Sequence, residues 1–418
     1  MKEDTSQGPR ASSGIWEGFE QFARLAVQEF LQELLEQEVE EFLGRRRSER
    51  RSGEAPQGGY RNGYGRPRRV ATSFGTLTVQ RPRTRGLDER FESRILPLYQ
   101  RRTEEVGALL PELYLHGLAE GDFELALRGL LGEGAPLSAS SIARLKEKWQ
   151  GEYEEWQERS LSDVEVVYAW VDGIYVKAGL EKDKAAALVI MGALRDGSKA
   201  VLAIESGQRE SSERWSAILR SLKKRGMGEP RLVMGDGHLG IWGGLANVYP
   251  GAQEQRCWKH RMGNVLDRVS KKEQEVAKAL LRAIMYAPSR QAAEDGKAKF
   301  RQWSAKKGMG DAAQVLEEDW ERMVTYYAFP KEHWKHLRTT NPVESPFSVV
   351  RLRTTPAKRY KRVDHATAVI WKTLLIAEKS FRKLDAPELV TEVADGAVYA
   401  DGVRVRKVSE EAAGKVTA

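Results

Sequence analysis

Three acidic residues in distant stretches of the chain have the settings that metal-dependent chemistry needs. Asp172 and Asp236 each follow an apolar run that predicts a β-strand, and Glu344 opens a predicted helix. A carboxylate at the end of a buried strand has no role in a hydrophobic core. Phosphoryl transfer with two divalent cations requires several carboxylates that converge from separate elements, and Mg²⁺ selects oxygen ligands of this kind. The three residues together therefore predict one catalytic site.

Each acid also has a simpler interpretation when it is considered alone. Asp172 and Asp236 both precede a glycine, and Asp-Gly pairs are typical of tight turns. Glu344 fits the start of a helix, where the macrodipole stabilises a carboxylate by roughly a few tenths of a kcal/mol. A catalytic site is favoured by the combination of the three acids with a helical segment between the last two and with basic flanking runs.

The elements around the first two acids predict an α/β fold. Strands are expected at 164–171, 174–178, 185–194, 199–205 and 231–235, and helices at 211–225 and 239–247. Successive strands followed by alternating helix and strand predict a ribonuclease H-like mixed sheet rather than a doubly wound nucleotide-binding fold. The pattern Gly-x-x-x-x-Gly-Lys-Ser/Thr is absent, which excludes a P-loop nucleotide site.

Six segments are predicted along the chain. They are an N-terminal amphipathic helix and basic arm (1–59), a mainly helical DNA-binding region (60–155), the first part of the catalytic domain (160–268), an all-helical insertion (269–336), the closing helices of the catalytic domain (337–385) and a C-terminal tail (386–418). A charged connection at 152–163 is expected to link the second segment to the third.

The N-terminal helix is expected over residues 15–43, with apolar residues such as Phe19, Phe22 and Phe30 at helical spacing. This apolar face either packs within the N-terminal domain or contributes to dimerisation, and the sequence leaves both alternatives open. The chain then becomes basic and rich in glycine through Gly65, which predicts a flexible segment. An alternating stretch at 70–83 predicts a short hairpin.

A candidate helix-turn-helix lies at 96–149, where three helical patterns are separated by glycines. Its last helix is predicted to direct Ser140, Ser141, Arg144 and Lys148 toward a DNA major groove. The alternative is a small three-helix unit that only packs. The neighbouring arginines favour DNA binding.

Charge and cysteine content narrow the class of protein. The 418 residues include 68 Lys and Arg against 60 Asp and Glu, and the arginines crowd into the runs 45–51, 61–69, 81–85 and 351–362. One such run is commonly a solvated surface, but four of them around an acidic site favour a nucleic-acid partner. The single cysteine, Cys257, excludes an intrachain disulfide and favours a reducing compartment. No run of apolar residues approaches the length of about 18 residues that a membrane-spanning helix needs.

Four motifs resemble those of the bacterial Mutator-like insertion-sequence transposases. They are Trp170–Lys177, Gly235–Trp242, Gln255–His260 followed by 264–267, and Arg338–Glu344, and the resemblance is collinear from about Tyr60 to about Leu384. It implies a ribonuclease H-like domain interrupted by a helical insertion. It also implies that Asp172, Asp236 and Glu344 form a DDE triad that binds two Mg²⁺ ions, for which Mn²⁺ is expected to substitute.

The resemblance also marks Cys257 and His260 as a Cys-x-x-His motif, with His260 included among the expected catalytic residues. Two ligands cannot close a tetrahedral zinc site, which argues against a structural zinc ion. Two alternatives stay open. Either a buried cysteine and a hydrogen-bonded histidine shape the site, or His260 contacts the scissile phosphate or its water.

Further DNA contacts are expected around this site. The resemblance implies that a tryptophan of the helical insertion stacks on a displaced base, and Trp320 is favoured over Trp303 and Trp334. Arg338, Asn341, Arg351 and Arg353 are expected to hold phosphates; the last two belong to the basic run at 351–362.

The expected function is that of a DNA transposase, which cuts at the element ends and transfers the resulting 3′-hydroxyl to target DNA. Its expected partners are the terminal inverted repeats and target DNA, both double-stranded, and further copies of the chain in a homodimer or larger assembly on DNA. No membrane partner is expected, and the predicted location is the cytoplasm, at the nucleoid. Two alternatives are a structure-selective nuclease with the same fold and a DNA-binding regulator with inert acids.

Overall fold

The computed structural model describes residues 13–49, 59–87, 91–118, 122–132, 135–136, 139–178, 185–207, 212–237, 240–355, 360 and 362–405. The chain divides into two compact units, Met1–Leu145 and Lys146–Ala418. No helix in the described part of the chain combines the length and the apolar character needed to cross a membrane.

The N-terminal unit combines helices with short antiparallel strands. Its elements are α1 (Ser13–Leu43), β1 (Tyr60–Tyr64), β2 (Arg68–Thr72), β3 (Gly75–Val79), β4 (Pro82–Arg85), α2 (Glu104–Leu115), α3 (Phe123–Leu131) and the start of α4 (Ala139–Glu158). Strand β1 pairs with β4, and β2 pairs with β3. Leu35 of α1 packs with Val70 and Val79 of the β2–β3 hairpin in a small core.

The structure confirms the long first helix and the hairpin but corrects two neighbouring expectations. The segment through Gly65 is not wholly flexible, because β1 within it is held by pairing with β4. The connection expected at 152–163 begins later, because α4 continues to Glu158 and buries Trp149 and Tyr153 one turn apart.

The apolar residues of α1 fall into two groups. Leu35, Val39 and Leu43 are buried, whereas Phe22 and Phe30 are 70% and 61% exposed. Packing within the unit therefore accounts only for the second half of the predicted apolar face.

The C-terminal unit is built around a five-stranded mixed sheet. Its strands are β5 (Val166–Val176), β6 (Ala185–Leu194), β7 (Lys199–Gly207), β8 (Leu232–Gly235) and β9 (Gln253–Arg256), with α5 (Ser212–Lys224) after β7 and α6 (Ile241–Val248) after β8. The order is β7-β6-β5-β8-β9. Strands β5, β6 and β7 are antiparallel neighbours, and β8 and β9 run parallel to β5. Trp215 and Leu222 of α5 and Leu245 of α6 pack against one face of this sheet.

Helices follow the sheet along the chain. They are α7 (Trp258–Leu266), α8 (Gln274–Met285), α9 (Arg290–Lys306), α10 (Gly310–Glu317), α11 (Trp320–Val324), α12 (Trp334–Leu337), α13 (Asn341–Glu344), α14 (Phe347–Thr354), α15 (Val363–Glu378) and α16 (Pro387–Ala394), followed by the short strands β10 (Tyr399–Ala400) and β11 (Val403–Arg404). Residues 269–336, all of which are described, contain helices, 3₁₀ turns and connections without a strand.

Asp172 lies within a continuous strand and not at a strand end. It pairs with Val189 of β6, and Gly173 pairs with Leu188. The expected break between two strands at this Asp-Gly pair was wrong, and so was the alternative of a hairpin turn. The physical reason is that β6 is long enough to pair along most of β5, and its ladder of hydrogen bonds outweighs the local turn preference.

Candidate metal-dependent active site

The pairing register of β5 and β8 places Asp172 and Asp236 at the same position along the two strands. Trp170 of β5 is paired with Met234 of β8 in the parallel ladder. Side chains two residues apart lie on the same face of a strand, so Asp172 shares a face with Trp170, and Asp236 is two positions after Met234, just past the end of β8. Continuing the register by two residues places Asp172 beside Asp236.

The third acid approaches this face from α13. The indole Nε1 of Trp170 donates a hydrogen bond to the carbonyl of His336 at 2.9 Å, which places the segment leading into α13 over the face of β5 that carries Asp172. The charges of Glu344 and Asp236 both act on the Asp172 carboxyl group. Asp172, Asp236 and Glu344 therefore approach one another from three elements, and their action as one site stays a prediction.

Glu344 does not open a helix as expected but is the last residue of a four-residue helix, and it lies within the first turn of that helix. Helix α13 begins at Asn341, with Pro342 in its first turn, where a missing N–H costs no hydrogen bond. Because Glu344 still lies within the first turn of α13, the expected macrodipole contribution stays a prediction. Two side chains also hold the carboxylate: Thr340 Oγ1 donates to Glu344 Oε1 at 2.6 Å, and Lys259 Nζ donates to Glu344 Oε2 at 2.6 Å.

The Cys-x-x-His motif lies beside Glu344. Cys257 follows β9 directly, and its N–H donates to the carbonyl of Gly235 at 2.7 Å, which ties it to the end of β8. Its Sγ is 3.3 Å from Thr340 Oγ1, and His260 Nε2 is 3.9 Å from Glu344 Oε1. Ligand-type atoms of Cys257, His260 and Glu344 all lie within 4.8 Å of one another. The glutamate thus brings this group to three, the number of protein ligands in a catalytic zinc site and one fewer than in a structural one.

Burial and neighbouring charges set the protonation of the site. Burial raises the pKa of Asp172 to about 7, the charges of Glu344 and Asp236 add to this, and the N–H of Gly173 opposes it. Burial also acts to raise the pKa of Glu344, but the hydrogen bonds from Lys259 and Thr340 outweigh it and lower that pKa below its ordinary value. A cation bound among these oxygens would relieve the cost of ionising Asp172, so the donor set suits a hard divalent metal ion.

Neighbouring groups favour the protonated form of His260. Its interaction with Cys257 is the largest influence on its pKa, and together with the charges of Asp172 and Glu344 it raises the pKa of His260 to about 9 although burial opposes this. The side chain is 37% exposed. A cationic, partly exposed imidazole beside the carboxylates is suited to hold an anionic group of a substrate.

A buried ion pair supports the turn that carries Asp236. Gly237 has a positive φ of +79°, and a Cβ atom at this position would lie 2.3 Å from Nη1 of Arg256. Arg256 is buried and forms an ion pair with Asp319. The carboxylate of Asp319 also lies 3.4 Å from Arg261 and 3.3 Å from Arg322. Sequence reasoning missed Arg256 and Asp319, although Arg256 belongs to a quoted motif.

The expected phosphate-binding residues differ in exposure. Asn341 and Arg351 are exposed. Arg338 is partly buried, with its guanidinium 5.0 Å from the ring centre of Tyr286 and 5.6 Å from that of Trp334. Arg353 is 2% exposed, so the expected DNA contact stays a prediction and would require this side chain to leave its present packing. The reason for its burial is helical phase, since Arg353 follows the buried Val350 by three residues on α14.

Trp320 is part of the protein interior in this structure. It is 5% exposed, its Nε1 donates to Glu294, and Lys297 Nζ lies 4.1 Å from its ring centre. Stacking on a DNA base stays a prediction, and it would require this side chain to leave its present packing. The alternatives Trp303 and Trp334 are partly and fully buried, respectively.

The predicted groove-reading residues of α4 are only partly described. Arg144 and Lys148 are exposed, and Lys148 Nζ is 3.6 Å from Glu152. The side chains of Ser140 and Ser141 lie outside the described residues. The structure therefore leaves the major-groove contact as a prediction.

Replacing Thr340 with valine is expected to weaken binding of a divalent cation by roughly 10- to 100-fold, the usual effect of removing a group that orients a metal ligand. Thr340 is fully buried, and valine keeps its shape but loses the hydroxyl that donates to Glu344. Calorimetric titration with Mn²⁺ measures the change. Thr340→Ser retains the hydroxyl and serves as the control, so equal Mn²⁺ affinities for the two variants would show that the hydroxyl does not position Glu344.

Comparisons with known proteins agree with the four motifs. The family model described as "Transposase, Mutator family" matches residues 3–378. A transposase for insertion sequence element IS6120 from Mycolicibacterium smegmatis is 42% identical over 295 residues, which cover 70% of this chain and 91% of that protein. A transposase for IST2 from Acidithiobacillus ferrooxidans is 38% identical over 281 residues, which cover 66% and 94%. A transposase for IS406 from Burkholderia multivorans is 30% identical over 382 residues, which cover 90% and 95%. The chain therefore belongs to the Mutator family of transposases, as its motifs predicted.

Proposed function

We propose that Asp172, Asp236 and Glu344 form a DDE-type site that uses two Mg²⁺ ions to cut DNA at the ends of an insertion element and to transfer the 3′-hydroxyl to target DNA. Membership of the family implies DNA binding, cleavage and strand transfer. The observation that supports the DDE-type site is the approach of the three acids to one face of the sheet, with Asp172 and Asp236 in register.

The topology of the sheet supports a ribonuclease H-like domain as the scaffold. Three antiparallel strands come first, and two further strands alternate with helices and run parallel to the first. This is the pattern on which the sequence-based expectation rested. The helices between Asp236 and Glu344 would then be the insertion, with the ion pair of Arg256 and Asp319 joining it to the turn at Asp236.

The protein's own groups prepare the site for the metal ions. When bound, the two ions activate water or a 3′-hydroxyl and stabilise charge on the phosphodiester. Lys259 and Thr340 keep Glu344 ionised and oriented. Asp172 gives up its proton when it becomes a ligand, because metal binding requires the carboxylate form. His260, as an imidazolium, holds a phosphate oxygen of the DNA.

The names of the relatives support the choice of DNA substrate. Each is a transposase for an insertion sequence element, and we propose terminal inverted repeats and target DNA as the substrates of this chain too, reached at the nucleoid in the cytoplasm. Because two element ends must be held together for strand transfer, we propose a dimer or a larger assembly on DNA.

Labelled element-end duplexes test this function. With Mg²⁺ the protein is expected to nick the ends and to join them to a target plasmid, and EDTA is expected to stop both steps. Cutting without joining would favour the structure-selective nuclease. Binding with neither cutting nor joining would favour an inert DNA-binding regulator.

A further inference from the structure

Four strands in the described part of the N-terminal unit form two antiparallel pairs, and the strands of the second pair lie between those of the first along the chain. In the first, β1 pairs with β4 from Tyr60↔Arg85 to Tyr64↔Pro82, and in the second β2 pairs with β3 from Arg68↔Val79 to Thr72↔Gly75. A hydrogen bond from Gly65 N–H to the carbonyl of Arg81, 2.8 Å long, joins the two pairs. The segment 59–87, called the arginine ribbon below, is therefore a long hairpin made of two strand pairs that this hydrogen bond connects.

The arginine ribbon carries positive charge alone. Residues 59–87 include seven arginines and no Asp, Glu or Lys; the arginines are Arg61, Arg66, Arg68, Arg69, Arg81, Arg83 and Arg85. Within the described part of the chain Arg61 is neutralised by Glu36 at 2.6 Å and Glu40 at 3.2 Å. Over the same residues Arg66, Arg81, Arg83 and Arg85 form no ion pair within 4 Å, and Arg68 donates only to the carbonyls of Pro97 and Gln100.

The ribbon is held firmly against α1. Val70 and Val79 pack on Leu35. The side chain of Gln32 donates to the carbonyl of Gln80 and accepts from its N–H, both at 2.9 Å. The backbone that carries the arginines is therefore already ordered. Binding of a partner would not have to include the entropic cost of ordering this backbone.

Like charges are crowded on this surface. Burial lowers the pKa of Arg68, and the positive charges of Arg81 and Arg101 lower it further. Arg101 belongs to the segment that lies alongside β2, where the N–H of Ala71 donates to the carbonyl of Arg101 at 2.9 Å. A bound polyanion would offset this repulsion and supply ion-pair partners for Arg66, Arg81, Arg83 and Arg85.

Two exposed arginines lie on one face of the ribbon. Arg83 and Arg85 are two residues apart on β4, which places their side chains on the same face of the strand, about 6.8 Å apart. Both are exposed, and among the described residues Arg83 donates a hydrogen bond only to the main-chain carbonyl of Asn62, at 3.5 Å. Two neighbouring guanidinium groups on an exposed face are suited to contact phosphates of a DNA backbone.

We propose that the arginine ribbon binds the phosphate backbone of duplex DNA, as a contact surface separate from the predicted major-groove helix α4. The proposal rests on the proposed action of the chain on DNA and adds where the backbone is held. Because phosphates carry no base sequence, the ribbon contributes equally to binding of terminal-repeat and unrelated duplexes.

The test measures affinity of the full-length protein for a fluorescent duplex over a range of salt concentrations, in EDTA so that no cleavage occurs. In the double variant Arg83→Gln/Arg85→Gln we expect several-fold weaker binding and a slope of log K against log salt reduced by about 1.8, since each lost phosphate contact removes about 0.9. Arg83→Lys/Arg85→Lys keeps the charges and is expected to keep the wild-type slope.

Arg94→Gln controls for a general loss of charge. Arg94 lies outside the ribbon, its side chain is 86% exposed, and it is within 4.0 Å of Glu38 and Glu41, so wild-type salt dependence is expected. A wild-type slope and affinity for Arg83→Gln/Arg85→Gln, with its thermal unfolding unchanged, would overturn the proposal. Metal-dependent cleavage by that variant at low salt would still test the acidic site separately, because the binding assay contains no metal ion.

Discussion

Asp172→Asn is expected to reduce Mg²⁺-dependent cleavage and strand transfer by roughly 10³-fold or more, since even groups that only orient a metal ligand change affinity or activity by roughly 10- to 100-fold. The substitution keeps the shape of the side chain, and its amide oxygen can still accept the 2.8 Å hydrogen bond from the N–H of Gly173. What the substitution removes is the negative charge of the proposed metal ligand. Rates are measured with labelled element ends at saturating DNA, and Val189→Ala on the neighbouring strand is a control for general damage to the sheet.

The same variant is expected to gain stability when no metal ion is present. The pKa of Asp172 in the folded protein is about 7, above the ordinary value of 3.8. A raised carboxyl pKa means that the folded state binds the proton more tightly, so the stability this group contributes is complete below about pH 4 and is lost as pH rises toward 7. Asparagine does not ionise. Asp172→Asn should therefore match the wild type near pH 4 and exceed it by more than about 1 kcal/mol at pH 8.

Urea unfolding in EDTA at several pH values measures this difference. Added Mg²⁺ should stabilise the wild type at pH 8 and leave Asp172→Asn little changed, because only the wild type retains all three carboxylates. A pH-independent difference between the two proteins would show that Asp172 is not held in a costly ionised form. Loss of activity combined with increased stability is a result that simple misfolding of the variant cannot produce.

Asp319→Ala is expected to destabilise the C-terminal unit by about 3–5 kcal/mol, the typical cost of removing one partner of a buried ion pair. Its carboxylate lies beside Arg256, Arg261 and Arg322. Arg256 and Arg261 are buried, and the Nε atom of each makes no hydrogen bond within the described structure. With alanine at position 319, the buried guanidinium groups of Arg256 and Arg261 would therefore lose the carboxylate that they share. Chemical denaturation followed by tryptophan fluorescence reports the loss.

Glu318→Ala is the matched control for this variant. Glu318 is the neighbouring acid and also lies 3.2 Å from Arg261, but its side chain is 55% exposed. Exposed ion pairs contribute about 0–1 kcal/mol, so this variant should be nearly as stable as the wild type. Similar stability losses for the two variants would mean that the buried network around Asp319 is not what supports the turn at Asp236.

The sequence predicted the helices and strands better than it predicted where they begin and end and how the strands pair. The helices and strands around Asp172 and Asp236 were recoverable because each has its own apolar periodicity. The position of Asp172 within β5 was not, because pairing with β6 is a non-local interaction that no local pattern of Asp-Gly reveals. The start of α13 was expected at Glu344 but lies at Asn341, three residues earlier. Here the sequence does contain a local signal, because Pro342 fits the first turn of a helix.

Other features of the structure were not predicted because they depend on contacts between residues that are distant in the sequence. Arg256 and Asp319 are 63 positions apart, and nothing in either local sequence pairs them. The motifs also do not predict which side chains are exposed. Arg353 was expected to contact DNA because it belongs to a basic run, yet it lies on the buried side of α14. The three acids could be named from the sequence because the proposed chemistry requires three carboxylates and the quoted motifs contain them; their role in catalysis stays a prediction.

Anomalous diffraction from crystals grown with Mn²⁺ and an element-end duplex tests the central claim most directly. The proposed site predicts manganese peaks bounded by the carboxylate oxygens of Asp172, Asp236 and Glu344, with loss of at least one peak in Asp172→Asn crystals. A manganese peak held by Cys257 and His260 without Asp172, or no peak near the three acids in a complex competent for cleavage, would contradict it.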